Sequence, residues 1–306
     1  MPAPIAIFAF NRPDLLQQTI AALMANPLSE KSNVTIFCDG PRDEAEALLT
    51  GQVRSIAKSV KGFATLDVVT RDENLGGFRA IPDGMRQMFN LYDSLIVLED
   101  DILLSPFALE YFNNALNKYE DKRSVFTISA WSPSANFIRA PRDYPFEVCF
   151  FPNFGGWGWA IWKDRFDLID WSFPEKEDIE NYPVLLNNMA CIQPNLVKLM
   201  LHQKHKINWD VCVDFYRFKN GLLSLFPLKS LAVNIGLFSG QHPVNSIPQY
   251  MDIQLTSDHA PDLIDYVFCD PRLMRKFLLA FSGDRSFAFF SRMINWCKCI
   301  FSQKFI

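Results

Sequence analysis

Several signals that classify a chain at first sight are absent from these 306 residues. The seven cysteines form no C-x-x-C pair, which argues against a zinc knuckle or a disulfide scaffold and favours free thiols in a reducing compartment. No uninterrupted apolar run approaches the ~18 residues that a membrane-spanning helix needs. The N-terminus begins a strand almost at once and lacks the layout of a signal peptide. These absences predict a cytoplasmic protein.

An excess of basic charge is also missing. The formal net charge of −4 argues against a nucleic-acid-binding protein, which normally carries a basic face. The charge is uneven, because residues 1–271 hold 23 basic and 33 acidic side chains, whereas residues 272–306 hold seven basic side chains and one acid. This basic, aromatic-rich tail is expected either to pack back onto the domain or to dock on the anionic inner face of the cytoplasmic membrane.

The sequence does contain short apolar segments that alternate with amphipathic ones. Strands are predicted at 4–10, 33–38, 64–70, 94–98 and 125–130, and segments of helical pattern lie between them. Such an alternation predicts an α/β fold with a mostly parallel sheet, flanking helices and right-handed crossovers.

Three consecutive carboxylates, Glu99, Asp100 and Asp101, follow the fourth predicted strand. They would lie at the C-terminal end of that strand, where open α/β sheets bind ligands. Adjacent acids repel one another, so a cation is expected beside them, most simply a divalent metal with hard oxygen ligands. The alternative is an acidic turn that caps the next helix, from Ser105 onward.

Further polar groups follow the other strands and are expected along the same edge. Arg12 suits a phosphate or a base edge, and Asp39 can accept a hydrogen bond from a base N–H. The pair Gly76-Gly77 permits a close approach of the backbone to a ligand. Together with the acids, these groups suit a nucleotide diphosphate with a metal. Singly, they fit a surface cap, a turn and a loop.

The second half of the chain is marked by aromatic residues. Trp131 ends a predicted strand, and residues 149–162 interleave glycines with phenylalanines and tryptophans, including Trp157 and Trp159. Aromatic faces on a glycine-rich loop stack well on the apolar faces of sugar rings. The alternative is a structural aromatic corner.

Two more residues are candidates for chemistry. Asp210 lies at the start of a predicted helix, where a carboxylate is expected to stay ionised, as a general base toward a hydroxyl requires. A plain N-cap is the alternative. His242 follows a predicted strand on a glycine-flanked loop and could complete a metal or diphosphate site.

The order of these motifs resembles the GT-A glycosyltransferases, in particular N-acetylglucosaminyltransferase I and its bacterial relatives in surface-polysaccharide synthesis. The resemblance covers roughly residues 3–245 and is carried by the segments 11–12, 38–40, 73–79, 97–101, 128–131, 150–159 and 209–210. It implies a Rossmann-like GT-A sheet with a C-terminal helical appendage. Phe78-Arg79 differs from the pair in the animal enzyme, whose membrane anchor also has no counterpart here.

The resemblance further implies an inverting, metal-dependent transfer of a sugar from a nucleotide donor, with UDP expected, to a hydroxyl of a glycan or lipid-linked glycan. Asp101 would ligate Mn²⁺ (or Mg²⁺), and Asp210 would be the catalytic base. The other candidates are the nucleotide-sugar contacts Arg12, Asp39, Gly76, Arg79, Glu99 and Asp100, the second metal ligand His242, and the acceptor contacts Trp131, Trp157 and Trp159.

These motifs predict one catalytic domain followed by an appendage. Residues 1–247 would form the GT-A domain, with a nucleotide-sugar half (1–131) and an acceptor half (132–247), and residues 248–306 a linker and the basic tail. One alternative is a nucleotidyltransferase of similar sheet, although such enzymes usually open with a glycine-rich Arg-Lys loop where this chain has Asn11-Arg12-Pro13. Another alternative is a nucleotide- or carbohydrate-binding module without catalysis.

Overall fold

The computed structural model describes residues 1–134, 138–172, 183–192, 208–238, 253–256 and 258–281, with Val197 and Met200. The strands are β1 (Ile5–Ala9), β2 (Asn33–Cys38), β3 (Thr65–Thr70), β4 (Ser94–Glu99), β5 (Ile102–Leu104), β6 (Val125–Ser129), β7 (Val148–Phe151), β8 (Trp159–Trp162), β9 (Leu223–Pro227) and β10 (Ala232–Asn234). The helices are α1 (Pro13–Met24), α2 (Glu44–Ser59), α3 (Gly76–Phe89), α4 (Ala108–Lys118), α5 (Lys163–Phe166), α6 (Pro183–Ile192), α7 (Trp209–Lys219) and α8 (Pro271–Phe281).

Eight of these strands form one mixed sheet in the order β3-β2-β1-β4-β8-β6-β9-β7. The first four strands of this order pair in parallel, as do β6 and β9. β8 runs antiparallel to both β4 and β6, so the C-terminal ends of β1, β2, β4, β6 and β9 all lie at the same edge. This confirms the predicted α/β class, with a mixed, mostly parallel sheet flanked by helices.

Alternate residues of the strands supply two apolar layers, one on each face of the sheet. Ile5 and Ile7 of β1 belong to a core that also contains side chains of α1, α2 and α4. Ala6 and Phe8 point to the other face, where α3 and α7 pack. Since both faces are covered, the open edge at the strand ends is left for polar residues.

Two predictions about the middle of the chain require correction. The predicted helix from Ser105 begins only at Ala108, because the acids are followed at once by β5, which pairs with β10. The segment 149–162 is not a single loop, because its ends form β7 and β8 in the main sheet. Glu99 therefore ends β4, and Asp100 and Asp101 form the short turn between β4 and β5.

The described part of the C-terminal tail packs on the domain. Leu273, Met274 and Phe277 of α8 are buried in the main core, and the ring of Phe277 lies 4.8 Å from that of Phe151. Upstream, the hydroxyl of Tyr119 donates to the carbonyl of Ile264 at 2.8 Å. The membrane prediction rests on residues 272–306, of which 282–306 lie outside the described part. Within that part, no helix is both long enough and apolar enough to cross a bilayer.

Candidate active site

A cavity of about 250 Å³ opens at the edge where β1, β2 and β4 end. The predicted site residues that line it are Arg12, Asp39, Gly76, Glu99 and Asp100. Asn74, which sequence reasoning placed at this edge with the glycine pair, also lines the cavity, as does Arg42, which it did not select. Arg79 is exposed on α3 and is not part of the wall. The sheet topology thus brings four separate strand-end segments to one concave surface.

Arg12 is the cation that faces the acids in this structure. One guanidinium nitrogen, Nη1, lies 2.7 Å from Asp101 Oδ2, and the other, Nη2, contacts Asp100 Oδ1. Asp100 Oδ2 accepts a hydrogen bond from the backbone N–H of Phe10 at 3.2 Å. Asp101 Oδ1, by contrast, is buried without a hydrogen-bond partner in the described residues. A buried carboxylate oxygen left in this way is expected to take a ligand.

Gly236 closes the far side of this acid pair. Glycine is required at this position, because a Cβ added there would collide with Asp101 Oδ2 and Arg12 Nη1. The preceding residue, Ile235, donates its backbone N–H to the carbonyl of Asp101 at 2.9 Å. Sequence reasoning noted the glycine only as part of the loop before His242. Its one signal is a glycine just after a short apolar strand.

Asp39 is engaged by the start of α3. Its two carboxylate oxygens accept hydrogen bonds from the backbone N–H groups of Leu75 at 3.1 Å and Gly76 at 3.0 Å. These bonds satisfy donors that the first turn of a helix leaves unpaired. The glycine at this point has φ +67°, a conformation that L side chains rarely adopt. Asp39 therefore fixes the glycine pair against the cavity, and its predicted contact with a base stays a prediction.

Asp210 lies at the start of α7, which packs against α3. Desolvation raises the pKa of Asp210 to about 6, and the charge of Asp214 adds to the effect. Glu99 is near enough for the charge of Asp210 to raise its pKa, although burial and the charges of Asp101 and Asp100 act more strongly. The charge of the candidate base therefore acts on Glu99, and with a pKa of about 6 Asp210 is mostly ionised at neutral pH.

The three tryptophans differ in their exposure. Trp159 is only 1% exposed, and its indole stacks on that of Trp209 at 5.5 Å, so it cannot offer a face to a sugar in this conformation. Trp131 is also buried and meets Trp157 edge to face at 5.1 Å. For Trp159 and Trp131 the geometry fits the structural aromatic corner. Trp157 is only partly buried and keeps the predicted acceptor role open.

His242, the predicted second metal ligand, lies outside the described residues. The fit of a metal ion is therefore assessed from the acidic side chains. Among the residues that are described, no group of three or more His, Cys, Asp or Glu side chains is placed to hold a metal ion. The orphaned Oδ1 of Asp101 and the oxygen-only donor set nevertheless fit a hard divalent cation that takes its other ligands from elsewhere. Arg12 would have to give up Asp101 Oδ2 to such an ion.

The sheet order and the strand-end cavity define an α/β protein with a polar site at the C-terminal edge of a mostly parallel sheet. The model of the GNT-I family matches residues 1–210, which is more than half of the chain. The chain therefore belongs to the GNT-I family, and the resemblance read from the motifs is confirmed.

Two similar proteins can be named. An alpha-1,3-mannosyl-glycoprotein 2-beta-N-acetylglucosaminyltransferase from Arabidopsis thaliana is 21% identical over 183 residues, which are 56% of this chain and 40% of that protein. Among solved structures, the mannosyltransferase PcManGT from Pyrobaculum calidifontis in complex with GDP-Man and Mn²⁺ is 18% identical, with a TM-score of 0.37 over 54% of this chain and 47% of that one. The chain spans less than half the length of each.

Proposed function

We propose that this chain is a metal-dependent, inverting glycosyltransferase that moves a sugar from a nucleotide donor to a hydroxyl of a glycan or lipid-linked glycan. The observation that carries the proposal is that Arg12, which lines the sheet-edge cavity together with Glu99 and Asp100, pairs with both Asp100 and Asp101. The charge of Asp210 acts on Glu99 in the same wall. Membership of the GNT-I family supports the same activity.

The proposed donor is a UDP-sugar. It would enter the cavity with its diphosphate toward Arg12. The side chain of Arg12 is 29% exposed and lines the wall, so it can reach a phosphate. Gly76 and Gly77 allow the backbone at the start of α3 to approach the ligand closely. Glu99 and Asp100 are proposed to hold hydroxyl groups of the ribose and the donor sugar.

Asp101 is the residue proposed to hold the divalent metal, Mn²⁺ or Mg²⁺, through its unpartnered Oδ1. When bound, such an ion neutralises the negative charge that develops on the departing diphosphate. A second protein ligand, for which His242 is a candidate, lies outside the described residues.

Asp210 is proposed as the general base. The acceptor hydroxyl would lose its proton to Asp210 while its oxygen attacks the anomeric carbon and the bond from that carbon to the diphosphate oxygen breaks. Attack opposite the leaving group inverts the anomeric centre. A pKa of about 6 suits this role, because the group is ionised at neutral pH yet basic enough to accept a proton.

Trp157, partly exposed beside Trp131, is the proposed contact for an acceptor sugar. The excess of basic residues in 272–306 supports a peripheral position at the inner face of the cytoplasmic membrane, where bacterial surface glycans are assembled on lipid carriers.

A thermal-shift panel of nucleotide sugars, with and without Mn²⁺, tests the proposal. We expect one UDP-sugar to raise Tm only when Mn²⁺ is present and to be hydrolysed slowly without acceptor. The variant Asp101→Asn is expected to lose the Mn²⁺-dependent shift, while Asp67→Asn, which changes an exposed acid on β3, should keep it.

Three outcomes contradict the proposal in different ways. Binding without any turnover would favour a binding module, and release of pyrophosphate from a nucleoside triphosphate would favour a nucleotidyltransferase. An unchanged Mn²⁺-dependent shift in Asp101→Asn would remove that residue from the site.

A further inference from the structure

Arg12 spans two buried carboxylates on one side and faces the cavity on the other. We propose that Arg12 is a built-in counter-ion that keeps the divalent cation away from Asp101 until a nucleotide diphosphate draws the guanidinium into the cavity. Metal and nucleotide then bind cooperatively. This inference rests on the proposed function and concerns the control of its site.

Three of the four carboxylate oxygens of Asp100 and Asp101 have hydrogen-bond partners. Arg12 contacts one oxygen of Asp100 and one of Asp101, the second at 2.7 Å. The N–H of Phe10 takes the other oxygen of Asp100 at 3.2 Å. Only Asp101 Oδ1 is left without a partner in the described residues. One oxygen is a poor site for a hard cation, which prefers six or more oxygen ligands.

The two carboxylates of Asp100 and Asp101 require a positive charge beside them. The carboxylate side chains of Asp100 and Asp101 are 2% and 9% exposed, so solvent neutralises them little. Leaving two buried charges without a counter-ion is strongly unfavourable. The guanidinium and a dication therefore compete for one place, and each can replace the other there.

The guanidinium of Arg12 can move away from the acids only toward the cavity. On the Gly236 side the space is filled, since even a Cβ there would collide with both Asp101 Oδ2 and Arg12 Nη1. On the opposite side the guanidinium lines the cavity. A diphosphate in that cavity offers oxygens in the geometry that a guanidinium fork binds best. The nucleotide thus supplies a new partner for Arg12 and frees Asp101 Oδ2.

The consequence is a coupling between two ligands. If the diphosphate releases Asp101 for the metal, the metal must raise the affinity for the nucleotide by the same factor. Without nucleotide the chain would bind Mn²⁺ weakly, and without metal it would bind nucleotide weakly.

The test measures Mn²⁺ bound to the full chain by electron paramagnetic resonance, without nucleotide and with saturating UDP. In the unmodified protein we expect UDP to tighten Mn²⁺ binding at least about tenfold. In Arg12→Met we expect Mn²⁺ alone to bind at least about tenfold more tightly than in the unmodified chain, and the gain from UDP to shrink. Arg42→Met is the matched control, because it removes an equal charge from the same cavity wall without touching the acids.

Each result has a distinct meaning. No Mn²⁺ binding to the unmodified chain even with UDP would overturn the proposed function itself. Mn²⁺ binding that UDP promotes equally in the unmodified chain and in Arg12→Met would overturn only the counter-ion role. Should Arg12→Met not fold, Arg12→Lys replaces it, because an ammonium lacks the fork that spans both carboxylates. That variant is expected to gain Mn²⁺ affinity without UDP, and no gain would overturn the inference.

Discussion

Arg12 and Arg217 both pair with buried aspartates, but their surroundings differ. Arg217 lies three residues after its partner Asp214 on α7, bonds it through Nε at 2.7 Å, and donates to the carbonyl of Leu222 at 2.9 Å. Its side chain is completely buried. Arg12 instead reaches two acids far away in sequence, and 29% of its side chain is exposed beside a cavity.

The difference separates a structural ion pair from one that can exchange partners. The Arg217 pair is local and enclosed, so it holds the C-terminal part of α7 to the chain that follows. The Arg12 pair borders the cavity and leaves one oxygen of Asp101 without a partner. Similar residues thus form a structural pair in one place and, in our proposal, an exchangeable pair in the other.

The largest effect is expected at Asp210, the proposed base, which lies on α7 with the Arg217–Asp214 pair. Asp210→Asn should lower turnover by about 10²–10⁴-fold while donor binding is retained, because only the proton acceptor is lost. Removing a carboxylate whose pKa burial has raised should not lower Tm. Rates from a donor and acceptor assay, with calorimetric donor binding, check both statements. A rate near that of the unmodified chain would exclude Asp210 as the base.

The next effect contrasts the two arginines directly. Arg217→Met should lower the free energy of unfolding by about 3–5 kcal/mol, since it removes the guanidinium that pairs with the buried Asp214. In the presence of Mn²⁺, Arg12→Met should cost less, because the dication can take the place of the guanidinium beside Asp100 and Asp101. Urea denaturation of both variants measures the difference. A greater loss of stability for Arg12→Met would contradict the distinction.

A smaller effect is expected where the backbone closes over the acids. Gly236→Ala should weaken Mn²⁺ binding in the presence of UDP roughly tenfold, because the added methyl group displaces Asp101 and Arg12. Gly51→Ala on α2 is the matched control, since a Cβ there meets no atom within 4 Å. Titration calorimetry compares the two. Equal affinities would show that Gly236 does not shape the site.

The smallest effect is a pH dependence. Because the pKa of Asp210 is raised to about 6, its proton-accepting form is lost as the pH falls through that value. The turnover rate at saturating substrate should therefore be about fourfold lower at pH 5.5 than at pH 7.5. In Asp210→Asn the residual rate should not show this step. A turnover rate that stays unchanged down to pH 4.5 would show that another residue is the base.

Local patterns predicted the elements well, because burial on both faces leaves a strong apolar signal. The structure has β2 at Asn33–Cys38 as predicted, and the acid triplet lies at the C-terminal end of β4, with Glu99 as the last residue of that strand. What the patterns missed depends on tertiary contact. The sequence near Asp101 does not indicate that its counter-ion is Arg12 or that Gly236 packs behind it. Nor does it distinguish the enclosed Trp159 from the partly exposed Trp157.

The most direct test of the central claim is anomalous diffraction from a crystal soaked with UDP and Mn²⁺. We predict a manganese peak within coordination distance of an Asp101 carboxylate oxygen, with the Arg12 guanidinium moved from that residue to the diphosphate. Bound UDP without a manganese peak at Asp101, while Arg12 still contacts both acids, would contradict it.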